Sequence, residues 1–366
     1  MGGASLVSAT AIAALVTPLV GHWARRRGWL DQPHGTAGHK THEVPTPLGG
    51  GIALFLAIVL PMVLMLLAAT LAMRWPIETA GEAPSAMPLW RAWAGGAIQK
   101  IPQTLALIAG GVVMHVLGLL DDRRPIPASV KLLVQIAVAL ALTVGFGIRA
   151  GEALGPVGAV VLTSMWIVAI TNAFNFLDNM DGLTAGVAAI AGIVLAASSV
   201  LVGQVFVPCL LLLVAGAALG FLRYNFPPAS IFMGDAGSLV IGYFLAVSSV
   251  LTTYYDPDLQ RTPFGVLVPL VVFAVPLYDM SSVVINRYRR GVSIFASDRH
   301  HFSHRLVRLG MSRRIAVLTI YLATAATALP AMLLPYANWA GAIVIVAQCA
   351  CVLALIAILE SRDGPW

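Results

Sequence analysis

The sequence predicts an all-α polytopic membrane protein of about eleven transmembrane helices, and three observations carry that prediction. Of its 366 residues, 59% are hydrophobic and 10% charged, against about 25% charged in a typical soluble domain. Apolar runs of about 20 residues, the length that crosses a hydrocarbon layer, recur along the whole chain. Eleven such spans need about 220 residues, which is close to 59% of 366. Cys209, Cys349 and Cys351 sit inside apolar runs with no spacing suited to zinc or a redox pair, so they read as small membrane hydrophobes.

The first span, Ala4 to Ala24, has no basic residue before it and is followed by Arg25, Arg26 and Arg27. It therefore reads as an anchor with its N-terminus outside, not as a cleaved signal. The second, Pro47 to Met73, follows a Pro- and Gly-rich start. The third, Gln103 to Leu120, ends in two aspartates, and the fourth, Ser129 to Phe146, begins after the turn from Arg123 to Pro127. The fifth, Pro156 to Ala173, runs into an Asn- and Asp-rich segment, from which the sixth, Gly182 to Val202, departs. The seventh is Val205 to Leu222, and the eighth, Ala236 to Tyr255, starts after a Gly-Asp turn. The ninth, Phe264 to Ile285, leads into a basic loop, and Ile315 to Leu334 and Asn338 to Ile358 complete the set. The stretch from Arg74 to Pro102 reads as an interfacial connector.

Alternate loops differ sharply in Lys and Arg. Seventeen of the 22 fall on the side that holds Arg25 to Arg27, and the other five are Arg74, Arg91, Lys100, Arg149 and Arg261. The positive-inside rule makes the first side cytoplasmic and puts the C-terminus there too. The formal net charge of +6 then lies wholly on the face where anionic headgroups and nucleotides are found. The chain reads as one integral membrane domain, 1–366. Its cytoplasmic loops, about 25–46, 121–128, 174–181, 223–235 and 286–314, are expected to form an active site.

Each carboxylate cluster falls on that face. Gly118 to Asp122 (GLLDD) ends the third span with adjacent acids that repel unless a cation or solvent offsets them. Mg²⁺ or a protonation role fits the pair, and so does neutralisation by Arg123 and Arg124. In Asn172 to Gly182, the residues Asn172, Asn175, Asp178 and Asp181 recur every three positions and so line one side of a helix or its frayed end. A ligand explains that stripe better than interhelical bonding of the asparagines alone. In Phe232 to Leu239 (FMGDAGSL), Asp235 is a hard oxygen donor of the kind Mg²⁺ takes beside substrate phosphates. The amides of the following helix start are free to bind an anion, or Asp235 caps them itself.

The basic loop from Arg287 to Gly310 holds Asp298, Arg299, His301 and His304. Phosphate contact suits these residues better than zinc. Lys40 and His42, before the second span, fit phosphate or nucleotide. His115, deep in a span, reads as a satisfied core histidine.

Together these residues resemble the polyprenyl-phosphate N-acetylhexosamine-1-phosphate transferases, which include the phospho-N-acetylmuramoyl-pentapeptide transferases. The resemblance runs from Asp31 to about Gly310. It is carried by Lys40, His42 and Pro45 to Gly50, by GLLDD, by Lys131 nine residues after Asp122, by N-x-x-N-x-x-D-x-x-D-G, by F-M-G-D-x-G-S-L, by Pro276 to Asp279 (PLYD), and by D-R-x-H-x-x-H. It implies transfer of a sugar 1-phosphate from a UDP-N-acetylhexosamine to a polyprenyl (undecaprenyl) phosphate at the cytoplasmic face of the bacterial inner membrane. UMP would leave, and Mg²⁺, with Mn²⁺ as a substitute, would serve as cofactor. Asp235 matches the magnesium aspartate, and Asp121 and Asp122 match the pair that assists the lipid phosphate. Asn175, Asp178 and Asp181 match the nucleotide-sugar pocket, and Phe232 an aromatic that stacks on uracil. Lys40, Lys131, His301 and His304 match basic residues of the site. Two positions depart from the pattern: Ser303, where the family's loop often has a histidine, and Asn179, where glycine is common.

GlcNAc 1-phosphate is the sugar expected from the loop and the eleven spans, with the peptidoglycan branch as the alternative. A secondary transporter is the competitor from another class, but it would place its acids near the midplane. The lipid, the nucleotide sugar, the bilayer and a second copy of the chain are the partners considered; nucleic acid is not expected.

Overall fold

The computed structural model describes residues 2–32, 45–74, 89–254, 262–293 and 301–361. Their regular structure is helix apart from one two-residue ladder. Helix α1 (Gly2–Arg26) leads to β1 (Leu30–Asp31), which pairs antiparallel with β2 (Thr46–Pro47). Then come α2 (Gly50–Arg74), α3 (Leu89–Gln99), α4 (Ile101–Arg123) and α5 (Ala128–Leu140), the last running on through a π-helical turn to Gly145. α6 (Gly155–Leu177), α7 (Leu183–Leu201), α8 (Phe206–Asn225) and α9 (Asp235–Leu251) form the middle of the chain. The last third holds α10 (Val268–Val272), α11 (Ala274–Arg289), α12 (Phe302–Arg308), α13 (Arg313–Ala331) and α14 (Trp339–Ser361).

Among the described residues, nine helices are long and apolar enough to cross a membrane. The ninth expected span is instead a bent pair, α10 and α11, at 61°. Pro276 lies within the first turn after the break and has no N–H to give the carbonyl of Val272, which removes a helical bond there. The eighth expected span, α9, has only 17 residues, about 25 Å of helix. It packs on α2, α4, α6, α7 and α8, and every residue from Ala236 to Ser249 is buried. A helix sheathed by other helices does not need to match the hydrocarbon thickness. The expected connector from Arg74 to Pro102 contains α3, because Ala94 and Ala97 pack small faces toward α2 and α4.

Close helix contacts fall where small residues allow them, as expected where lipid removes the hydrophobic drive between helices. Gly216 and Gly220 of α8, four apart, lie against the α1 backbone at Leu6 and Thr10, beside Ala9 and Ala13. Gly110 and Gly111 of α4 receive the rings of Tyr243 and Phe244 from α9, and the Tyr243 hydroxyl donates to the Leu107 carbonyl at 3.1 Å. These contacts lock the central helix, whose first turn carries the site.

Candidate active site

At one end of the bundle the chain approaches α9 through Ile231, Phe232 and Met233, which dock on the start of α2. Phe232 donates its N–H to Pro47 at 2.9 Å, Gly50 donates to Phe232 at 2.9 Å, and Gly51 donates to Met233 at 3.0 Å. Gly234 then turns the chain at φ +67°, a conformation that favours glycine. Gly118 of α4 lies directly against the backbone of Asp235 and Ala236, and a side chain there would overlap it.

That close approach brings Asp122 onto the open end of α9. Its Oδ1 accepts the N–H of Asp235 at 2.8 Å and its Oδ2 that of Ala236 at 3.2 Å. The amides expected to bind an anion, or to be capped by Asp235, are therefore held by a carboxylate from another helix, which also complements the helix dipole. His115, one level deeper on α4, lies 3.1 Å through Nδ1 from the Ala236 carbonyl and stacks on Phe55 at 4.5 Å. It is a core histidine, as its sequence context implied.

With its amide held by Asp122, Asp235 turns its carboxylate outward. Oδ2 accepts Lys131 Nζ at 2.9 Å and Oδ1 accepts Asn175 Nδ2 at 3.0 Å. Asn175 also donates to Ser238 Oγ at 3.0 Å. Lys131 donates at 3.0 Å to Asp121 Oδ2, whose other oxygen takes the Ile126 N–H at 2.7 Å. One ammonium thus serves carboxylates from two helices, and it answers Asp121 in place of the neighbouring arginines. Arg123 lies over the Trp29 ring at 5.3 Å, and Arg124 is exposed.

The polar stripe from Asn172 to Asp181 divides in three dimensions because α6 ends at Leu177. Asn172 pairs with the amide of Gln135 on α5 and donates to the Val168 carbonyl at 2.8 Å. It ties α5 to α6 one turn below Lys131 and does not reach the carboxylates. Asp178 sits at the helix end, where burial first and the Asp235 carboxylate second push its pKa up to about 8, with Asp122 and Asp181 adding to the shift. Asp181 braces the loop before α9 by accepting the Ala229 N–H at 2.9 Å. Phe232 is half-buried.

On the far side, His301 stands at the residue before α12 and is buried. Its Nδ1 meets Asp279 Oδ2 at 2.9 Å, and Asp279 Oδ1 accepts the Phe302 N–H at 2.9 Å. A proton on Nδ1 directed at Asp279 leaves Nε2 for the site. The His301 ring lies 6.4 Å from that of His304 and 6.1 Å from that of Phe176. Arg287 covers Phe176 at 5.3 Å. Asp279 ends the PLYD string that helps carry the family resemblance, but the sequence assigned it no role; its hold on His301 comes from the fold. Lys40, His42 and Arg299, with Asp298, lie outside the described residues.

Among the described residues no three His, Cys, Asp or Glu side chains are arranged to wrap a metal by themselves. Mg²⁺ does not require such a cage, because it takes one or two carboxylates and completes its shell with water and substrate phosphates. The donors suit it: Asp121 and Asp235 share a single lysine, and the carboxylate of Asp178 is close enough to that of Asp235 to feel its charge. Burial first, and the charge of Asp235 after it, raise the pKa of Asp178, and a divalent cation would offset the second of these.

Residues 104–253, which carry most of this constellation, match glycosyl transferase family 4. A probable undecaprenyl-phosphate N-acetylglucosaminyl 1-phosphate transferase of Bacillus subtilis is 34% identical over 317 residues, covering 84% of this chain and 78% of its own. The decaprenyl-phosphate N-acetylglucosaminephosphotransferase of Mycobacterium tuberculosis is 36% identical over 309 residues, 77% and 70% of the two chains. The undecaprenyl-phosphate alpha-N-acetylglucosaminyl 1-phosphate transferase of Escherichia coli is 30% identical over 254 residues, 65% and 68%.

Proposed function

Because the chain belongs to the family of polyprenyl-phosphate N-acetylglucosaminyl 1-phosphate transferases, we propose that it moves GlcNAc 1-phosphate from UDP-GlcNAc onto a polyprenyl phosphate, undecaprenyl in chain length. UMP leaves, and the product begins a cell-envelope polysaccharide on the cytoplasmic face of the bacterial inner membrane. The observation that carries this reading is Lys131 held between Asp121 and Asp235 at 3.0 and 2.9 Å, beside Asp178, at the end of a membrane-spanning bundle. A lipid headgroup and a water-soluble nucleotide can both reach such a place.

In the reaction an oxygen of the polyprenyl phosphate attacks the β-phosphorus of the donor. The bond from that phosphorus to the oxygen shared with the α-phosphate breaks, and UMP departs with the electron pair. Transfer of this kind needs charge compensation and alignment more than covalent help. Asp235 and Asp178 would hold Mg²⁺, or Mn²⁺ in its place, which would supply positive charge against the donor phosphates. Asn175 orients Asp235. Asn172 and Gln135 hold α5 against α6 and so place Lys131, whose ammonium is within reach of an arriving phosphate. His301, its Nδ1 engaged by Asp279, offers Nε2 to a phosphate oxygen, and His304 lies beside it. Lys40, His42 and Arg299 add cations, Phe232 stacks on the uracil, and Asp181 supports the pocket wall through Ala229. Both oxygens of Asp122 are committed to α9, which favours direct attack over an aspartyl intermediate.

Purified protein given Mg²⁺, undecaprenyl phosphate and UDP-GlcNAc is expected to release UMP. Release from UDP-MurNAc-pentapeptide alone would move the chain to the peptidoglycan branch. No release from any UDP-N-acetylhexosamine would overturn the reading and return the transporter alternative.

A further inference from the structure

The two positions at which the sequence leaves the family's pattern are bonded to each other. Ser303 Oγ donates to Asn179 Oδ1 in a short hydrogen bond, and the same amide donates through Nδ2 to the Phe176 carbonyl at 2.8 Å. Ser303 is 1% exposed. It lies between His301 and His304 on α12, whereas Asn179 directly follows Asp178 in the turn after α6. The bond therefore joins the histidine helix to the carboxylate turn across 124 residues of sequence. Burial makes the tie selective, because a buried hydroxyl or amide that loses its partner bears the cost of desolvation. The contacts of Phe176 with His301 and Arg287 are of ring type; these tolerate sliding, while a hydrogen bond sets a distance.

We infer that Ser303 and Asn179 act as one positioning pair, setting the distance between the phosphate-facing histidines His301 and His304 and the carboxylate turn at Asp178. Ser303 is buried against the Asn179 amide, so a larger side chain at 303 would press on Asn179. Neither residue is a catalytic group, and its effect passes through the histidines. The inference rests on the transfer reaction proposed above, and the test therefore includes one measurement that needs no turnover.

That measurement is hydrogen–deuterium exchange of residues 301–308 in the full-length protein without substrate. Ser303→Ala and Asn179→Ala are each expected to raise exchange there, and unchanged exchange in both overturns the tie. In UMP-release assays each variant should lose about tenfold in kcat with the KM for UDP-GlcNAc within about twofold, and the double variant should be no worse than the worse single. Losses that multiply would show independent residues and overturn the pairing. Ser303→His alone should be nearly inactive, and adding Asn179→Gly should restore most of kcat; no recovery also overturns it. A wild type that releases no UMP but shows the expected exchange would sink the proposed reaction and leave the tie standing.

Discussion

Asp122 caps the helix that begins with Asp235, accepting the Asp235 N–H at 2.8 Å from a residue 113 positions away in sequence. One aspartate is thereby held on a helix start, and the other turns its carboxylate to Lys131. Asp122→Ala is expected to lower stability by about 0.5–2 kcal/mol, the range for losing a helix cap, and to reduce turnover because α9 shifts. Thermal unfolding in detergent and UMP release check the two effects; unchanged unfolding would show that the cap contributes nothing.

Asp235→Asn should remain folded, because the side chain keeps its size and its amide oxygen can still accept from Lys131, yet lose nearly all turnover. An intact size-exclusion profile with less than about 1% of wild-type kcat is the expected result, a loss of the order seen when one preorganised charge is removed. Near-normal activity would take Asp235 out of the metal site.

Asp178 makes the metal-free protein sensitive to pH. Its folded value of about 8 lies above the ordinary 3.8, so between those values the unfolded chain has released a proton that the folded chain keeps. Stability then falls as pH rises through that window. The melting temperature in chelator should drop from pH 5 to 8, and Mg²⁺ should restore it at the upper end. Asp178→Asn should flatten the profile; a variant with the wild-type slope would assign the effect to other groups.

Asp279→Asn keeps the size of the side chain but weakens its hold on His301 Nδ1. The expected outcome is a fall in kcat of about 10- to 100-fold, as for loss of a partner that orients a histidine. UMP release measures it, and an unchanged kcat would show that the bond from Asp279 to His301 does not serve turnover.

Gly118→Ala inserts a methyl group against the backbone of Asp235 and Ala236. Overpacking of this kind costs about 1–3 kcal/mol, and here it pushes directly on the first turn of α9. Reduced melting temperature together with reduced kcat is expected, whereas Gly3→Ala, which meets open space, should change neither.

Much of this molecule was legible in the order of its residues. Apolar length located the long helices to within a few residues, because each span must satisfy its own backbone bonds in lipid, but it missed α3 and the break between α10 and α11; the motifs that carry the family resemblance are local strings. Local pattern could not show how the acids divide their work. Asp121 and Asp122 are adjacent in sequence, yet one binds Lys131 and the other caps α9, because consecutive positions on a helix point about 100° apart. Asn172 and Asn175 share a stripe, yet only Asn175 reaches Asp235. Asp279 and Ser303 gain their roles from partners 22 and 124 residues distant.

The sequence by itself determined that this chain lives in a bilayer, which loops hold the polar groups, and which family those groups resemble. The tertiary structure alone decided which carboxylates meet Lys131 and which one caps a helix. The physical reason is that a charge at a helix end must be met by whatever cation or amide packing brings to it, and packing joins segments that lie far apart in the chain.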